Sequence, residues 1–199
     1  MFTYIPGLLF QPRTTWQKIA DLTDEQIKRL LPYPIIMALL PALGIYIGST
    51  KTGWVVTGDD VVRLTEASAI PLVVLSYIAL LGAVVFIGLM VNWMSQTYQT
   101  RSFPIKGVVL MGYACTPLFL AGALTGYPIW WLDIIAATGA AIYVIYLVYM
   151  AILILMNVPW DRGFLYASAV FMVALVYVVI VLVGMAIVWE YIATPVFIG

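Results

Sequence analysis

A single carboxylate stands well inside one of the long apolar runs of the sequence. Asp133 follows Ile129 by four residues, which places it about 6–8 Å past the start of a helix that rises ~1.5 Å per residue. If that helix crosses a membrane, the charge costs free energy and the carboxylate is a candidate functional group. A structural role is equally open, because Trp130 and Trp131 mark a membrane interface beside it and a helix start stabilises negative charge.

A basic partner for Asp133 has to come from the polar segment before the second apolar run. Arg63 is the better candidate, since its guanidinium can engage a carboxylate through two hydrogen bonds, and Lys51 is the other. Arg63 folded over the carboxylate would close an outward-facing polar pocket. Without it, the carboxylate would be satisfied by water or by a neighbouring hydroxyl, that of Tyr77 or Thr125.

A kink is predicted in the third apolar run, where Pro117 follows Tyr113 by one helical turn. Proline has no N–H, so the carbonyl of Tyr113 loses its helical partner, and the hydroxyl of Thr116 can replace it. These residues either form a local kink or also line a cavity. Asn92, near the end of the second apolar run, is a further candidate, whose amide either bonds across helices or is solvated at the span end.

No residue pattern indicates catalysis. The chain has no histidine and one cysteine, Cys115, which removes His-based triads, imidazole metal sites and an intrachain disulfide. Neither a phosphate-binding glycine loop nor a nucleophile elbow occurs. We therefore expect no enzymatic activity, no metal and no cofactor. Nine basic residues balance nine acidic ones, which argues against a nucleic-acid partner.

The elements that must position these residues are membrane helices. Apolar residues make up 64% of the chain and charged residues 9%, against roughly 45–50% and ~25% in soluble domains. A protein of this size cannot bury so much apolar surface in its interior, so lipid must solvate much of it. We predict an all-α polytopic bundle of five spans. These lie at about 31–49, 67–93, 107–124, 129–157 and 164–189, before a tail at 190–199.

Residues 1–30 are predicted to form a cytoplasmic amphipathic segment. Apolar residues recur on one helical face and charged residues occupy the other. The apolar positions include Trp16, Ile19 and Ile27. Thr23 followed by Gln26 fits a capping box, so we expect helix over 14–30 with a break near Thr23. The apolar face either covers the end of the bundle, or lies in the membrane interface or docks a partner.

Basic residues set the predicted orientation. With the N-terminus inside, the inner segments hold seven lysines and arginines, and the outer segments hold two. The seven are Arg13, Lys18, Lys28, Arg29, Arg101, Lys106 and Arg162; the two are Lys51 and Arg63. We therefore predict a cytoplasmic N-terminus and a C-terminus outside.

Small residues at helical spacing indicate close helix contacts. Gly122 and Gly126 form a G-x-x-x-G pair, and residues 136–141 of the fourth span are mostly alanine and glycine. Packing inside the bundle explains such faces, and a homo-oligomer interface is the alternative.

Three features together resemble the Yip family of Rab-interacting, five-span membrane proteins, and its bacterial members in particular. Residues 10–19 contain P-x-x-x-W-x-x-I from Pro12 to Ile19, and residues 112–117 contain G-Y-x-x-x-P. The third feature is five spans with tight connections between the last three. The resemblance covers about residues 10–190. It implies a bacterial inner membrane protein with a role in membrane organisation or trafficking.

Two functions remain in competition. The first is a non-enzymatic scaffold or adaptor that contacts lipids and an unidentified membrane or cytoplasmic protein through the N-terminal segment and residues 94–106. The second is a small ion or solute transporter or channel built around Asp133 and the Tyr113–Pro117 kink. Coupled transporters usually carry several intramembrane charges and often an inverted repeat. This chain has essentially one such charge and no obvious repeat, so we favour the scaffold.

Overall fold

The computed structural model describes residues 1–55, 61–98, 104–127 and 129–198, and it is almost entirely helical. The predicted fold class, an all-α polytopic membrane protein, is confirmed. Among the described residues, four helical stretches are long and apolar enough to cross a membrane, and a bent pair of shorter helices makes a fifth if it counts as one span. Arg101, used above for the orientation, lies outside the described residues.

The N-terminal part of the chain consists of short helices. They are α1 (Tyr4–Phe10), α2 (Pro12–Ala20), α3 (Asp24–Lys28), α4 (Pro32–Met37) and α5 (Leu39–Ile47), followed by a π-helical turn at Gly48–Thr52. The predicted capping box is present, with Thr23 Oγ1 accepting from the Gln26 N–H at 3.4 Å and Gln26 Oε1 accepting from the Thr23 N–H at 2.9 Å. The break near Thr23 therefore divides the segment into α2 and α3.

Prolines interrupt the first candidate span, Asp24–Thr52. Pro41 lacks the N–H that would bond the carbonyl of Met37. Helix α4 therefore ends at Met37, and Ala38 separates it from α5. This helical stretch begins at Asp24, before the predicted residue 31, because it includes the charged helix α3 ahead of its apolar part.

The remaining spans are longer. They are α6 (Glu66–Ser95), the pair α7 (Pro104–Ala114) and α8 (Thr116–Gly122), α9 (Trp130–Leu155) and α10 (Trp160–Tyr191). Helix α8 continues into a 3₁₀ turn at Ala123–Gly126, and the two arms of the bent pair meet at 43°. Helix α10 begins four residues before the predicted residue 164, since Pro159 and Trp160 start the helix instead of lying in a turn.

Helices α6 and α10 leave most of their apolar surface uncovered by protein. In the most apolar stretch of α10 only 6% of the residues are buried. Exposed side chains there include Met172, Leu175, Val179, Ile180 and Val183. Such a surface is stable only when lipid is its solvent, which agrees with the composition.

Helices α1 and α2 form an antiparallel hairpin. Gly7 faces Thr15 so closely that a Cβ on Gly7 would lie 2.4 Å from Thr15 Oγ1. That hydroxyl is held by a 2.9 Å hydrogen bond to the carbonyl of Gln11, in the turn of the hairpin. A glycine at position 7 is therefore needed for the two helices to approach.

The hairpin packs into the bundle. The hydroxyl of Tyr143, at the middle of α9, donates to the carbonyls of Leu8 and Leu9 at 3.1 and 2.8 Å. The hydroxyl of Tyr113 donates to the carbonyl of Met1 at 3.0 Å. The apolar face is buried with them, at Trp16, Ile19 and Ile27. Of the interpretations open from the sequence, the apolar face thus covers the bundle instead of lying in the membrane interface.

A small antiparallel sheet joins the first connection to the C-terminal tail. Its order is β1 (Trp54–Val55), β2 (Val61–Leu64) and β3 (Phe197–Ile198). Arg63 pairs with Ile198 and Leu64 with Phe197, which the sequence analysis treated as loop and free tail. The tail and the connection after the first span therefore lie at the same end of the bundle.

Glycines let the spans touch backbone to backbone. A Cβ on Gly44 of α5 would lie 2.4 Å from the carbonyl oxygen of Gly122, and one on Gly107 of α7 would lie 2.1 Å from the carbonyl oxygen of Gly88. The G-x-x-x-G pair beginning at Gly122 thus packs within the chain. Gly139 of the fourth span has no neighbour within 4 Å of such a Cβ, so α9 does not meet another span at this position.

Candidate functional site

Asp133 lies in the first turn of α9, where the unpaired N–H groups of a helix start favour a negative side chain. Its Oδ1 is buried and has no hydrogen-bond partner among the described residues. A buried carboxylate oxygen without a partner is costly, so this atom requires a bound group or a functional explanation.

Asp133 is one of the residues that line a cavity of about 410 Å³, to which all five spans contribute. Its walls are mostly alkyl side chains, and its polar groups are few. The polar lining residues are Ser76 of α6, Thr125 after α8, Asp133 of α9 and Tyr177 of α10, and α5 contributes Pro41 and Ile45. The space beside Asp133 is thus mainly apolar with a few polar groups, unlike the polar pocket that the sequence suggested.

Two of the hydroxyls at the cavity already donate their protons to the backbone. Thr125 Oγ1 donates to the carbonyl of Gly122 at 2.8 Å, and the Tyr177 hydroxyl donates to the carbonyl of Ala79 at 2.8 Å. Their oxygens can then act only as acceptors towards the cavity. Together with the carboxylate, they give the cavity a lining that attracts hydrogen-bond donors and positive charge.

The predicted partners of Asp133 lie elsewhere. Arg63, one of the options named for Asp133, is exposed on β2 opposite Ile198, and no ion pair joins it to Asp133 among the described residues. Lys51 lies 3.5 Å from a carboxylate oxygen of Glu66. The Tyr77 hydroxyl, another predicted partner, donates to the carbonyl of Ile35 at 3.0 Å.

The Tyr113–Pro117 kink is present but does not belong to this cavity. Thr116 Oγ1 donates to the carbonyl of Tyr113 at 2.6 Å, which is the hydrogen bond predicted from the missing N–H of Pro117. All three residues are buried, and none of them lines the cavity of Asp133. A single site built from Asp133 and the kink is therefore wrong; the kink is part of the packed interior.

Asn92 stands apart from both. It lies near the end of α6, where its Oδ1 is buried without a partner among the described residues. A Cβ on Gly107 would lie 3.4 Å from its backbone nitrogen, so Asn92 faces the close contact of α6 with α7. The sequence suggested that the Asn92 amide either bonds across helices or is solvated. Its Oδ1 does neither among the described residues.

Sequence reasoning missed Ser76 and Tyr177, which line the cavity. Tyr177 is flanked on both sides by aliphatic residues, 173–176 and 178–183, and a polar hydroxyl in such a run is a signal of the same kind as the one that singled out Asp133. The described residues include no group of three or more acidic, cysteine or histidine side chains able to hold a metal ion.

These features define a helical integral membrane protein with an open cavity that all of its spans line. The chain matches the Yip1 domain over residues 7–183 and belongs to that family, as the resemblance of its motifs implied. Inner membrane protein YohC of Escherichia coli (strain K12) is 28% identical over 189 residues, which make up 95% of this chain and 97% of that protein. YohC of Escherichia coli O6:H1 (strain CFT073) matches to the same extent. No solved structure matches the chain.

Proposed function

We propose that the protein is a non-enzymatic scaffold or adaptor of the bacterial inner membrane, with its N-terminus in the cytoplasm. The observation that carries the proposal is the way the N-terminal helices are mounted. Their apolar face is locked into the bundle, so their polar face is a fixed surface. This surface, the N-terminal plate, consists of the exposed residues Arg13, Gln17, Lys18, Asp21, Asp24, Glu25 and Arg29.

A rigid surface of mixed charge suits recognition of a protein partner better than adhesion to anionic lipid. Lipid adhesion favours clustered basic residues, whereas here Asp21, Asp24 and Glu25 lie between Lys18 and Arg29. A surface that is already ordered also loses little conformational entropy on binding. Family membership and the similarity to the inner membrane protein YohC of E. coli support the inner membrane location.

Site-specific photocrosslinking in membranes of the native host tests this function. We expect a crosslinker at Gln17 or Glu25 to give discrete protein adducts, and a crosslinker at buried Ile19 to give only contacts within the chain. The double charge reversal Lys18→Glu with Glu25→Lys should remove the adducts at Gln17 without changing the amount of protein in the membrane. Equal adduct patterns at Gln17 and Ile19 would contradict a docking role for the N-terminal plate.

The cavity favours a second candidate function, transport or channelling of a small solute. An unpartnered carboxylate oxygen in a space lined by every span is the arrangement that a bound ligand or ion would complete. Asp133→Asn keeps the shape and removes the charge. In proteoliposomes we expect it to abolish solute-dependent flux, while an unchanged flux would remove Asp133 from this role.

A further inference from the structure

We infer that the cavity lined by the five spans binds an amphipathic organic monocation, with its charged group at Asp133. This deepens the second candidate function, on which it rests, by naming the class of ligand. It is independent of the N-terminal plate, which lies on other residues.

Charge is the first argument. Asp133 Oδ1 is buried without a partner, and no lysine or arginine of the described residues lines the cavity to neutralise it. In a medium of low polarity, a lone carboxylate and a lone organic cation each lack a counter-ion. Bringing them together offsets the cost of burying both.

The direction of the hydroxyl groups is the second argument. Thr125 and Tyr177 use their protons on backbone carbonyls, so the lone pairs of their oxygens remain for a ligand. A cavity that offers a carboxylate and acceptor oxygens repels an anion and accepts an ammonium group or a delocalised cation.

The walls do not suit a divalent metal cation as the occupant. Metal cations such as Ca²⁺ take about six to eight oxygen ligands. The side chains here supply one carboxylate and the three hydroxyls of Ser76, Thr125 and Tyr177, set among alkyl groups such as Leu118 and Val181. The apolar walls instead fit the hydrocarbon body of an organic cation, and about 410 Å³ lies within the size range of small-molecule sites.

Binding is tested with tetraphenylphosphonium and the smaller benzyltrimethylammonium as cations, and tetraphenylborate as an anion of the same shape as the first. The full-length protein in lipid nanodiscs is compared with empty nanodiscs. We expect saturable binding of at least one cation above the empty-disc level, and none of the anion. Failure of both cations to bind overturns the inference. Equal binding of tetraphenylborate also overturns it, since the cavity would then be an apolar crevice for lipid chains.

Three variants locate the binding. Asp133→Asn should weaken cation binding at least about tenfold, because a buried charge pair loses one partner. Ala137→Leu, which fills the cavity but keeps the carboxylate, should weaken it similarly. Glu190→Gln removes an exposed carboxylate at the end of α10 and should leave binding unchanged. Equal loss in Asp133→Asn and Glu190→Gln would mean a general surface charge effect and would overturn the site.

Melting temperature and size-exclusion elution of each variant distinguish lost binding from lost folding. If Asp133→Asn is poorly folded, Ala137→Leu decides, and retained binding in a folded Ala137→Leu protein overturns the inference. Flux is measured separately in proteoliposomes. Cation binding without flux supports the binding site and rejects the transport function. Solute flux without cation binding rejects the binding site and leaves the transport function in place.

Discussion

The rings of Tyr33 and Tyr113 lie parallel, with 4.1 Å between their centroids and 3° between their planes. Both are fully buried, and they join the first span to the third beside its bend. The Tyr33 hydroxyl lies 2.7 Å from Thr116 Oγ1. Because Thr116 already donates to the carbonyl of Tyr113, the Tyr33 hydroxyl must be the donor in this contact. The stack and the Pro117 kink therefore form one hydrogen-bonded unit.

Two substitutions at Tyr33 separate the ring from its hydroxyl. Tyr33→Phe keeps the stack and loses one hydrogen bond, so we expect the free energy of unfolding to fall by about 1 kcal/mol. Tyr33→Ala leaves a cavity in the packed interior and should cost about 3–5 kcal/mol. Thermal unfolding in a mild detergent measures both. Tyr191→Phe, at an exposed tyrosine, is the control, and an equal effect there would contradict the role of the stack.

Trp16 is predicted to hold the N-terminal hairpin on the bundle. Its side chain is fully buried, so Trp16→Ala removes the largest apolar group of this contact and should free α2. In a Cys115→Ala background, a cysteine at position 19 should react with a water-soluble maleimide only when Trp16 is also replaced. Trp160→Ala, which removes a tryptophan that is 73% exposed, is the matched control. Rapid labelling of position 19 beside an intact Trp16 would show that the hairpin is not docked.

The contact of α6 with α7 should not tolerate a methyl group. A Cβ on Gly107 would lie 2.1 Å from the carbonyl oxygen of Gly88, a backbone atom that can move only if the helices separate. We expect Gly107→Ala to cost about 1–3 kcal/mol. Gly139→Ala enters open space and gains helix propensity, so its melting temperature should be unchanged or slightly higher. An equal loss of stability in Gly107→Ala and Gly139→Ala would contradict the steric explanation for Gly107.

The orientation is tested by labelling single cysteines in intact cells. With the N-terminus inside, positions 51 and 194 should react with a membrane-impermeant reagent, and positions 18 and 162 only after permeabilisation. Because Leu64 pairs with Phe197, positions 51 and 194 must lie on the same side of the membrane. Labelling of 51 without 194 would contradict the sheet, and labelling of all four from outside would contradict the crossing pattern.

Local chemistry was predictable from the sequence. The capping box at Thr23 and the hydrogen bond of Thr116 to Tyr113 each involve residues within one helical turn, so spacing alone determines which groups can meet. The presence of several membrane-length apolar helices was predictable for a similar reason, since apolar length follows directly from the sequence. Helix ends differ by a few residues where proline starts a helix, as at Pro159.

Contacts between distant segments were not predictable in this way. Arg63 is the natural partner for Asp133 by charge and by position along the chain, yet backbone pairing with Ile198 determines where it lies. The acceptor character of the cavity depends on Tyr177 donating to Ala79, 98 residues away. Sequence spacing holds no information on either contact, because both follow from how the spans pack.

The docking of the hairpin also constrains the order in which the chain can be completed. Residues 1–20 leave the ribosome well before α9, but the group that binds the carbonyls of Leu8 and Leu9 is Tyr143, 135 and 134 residues later. Until α9 has been synthesised and inserted, the buried faces of Trp16 and Ile19 have no place in the bundle. This early segment thus reaches its native contacts late, and during that interval its apolar face is available to chaperones, to lipid or to the insertion machinery.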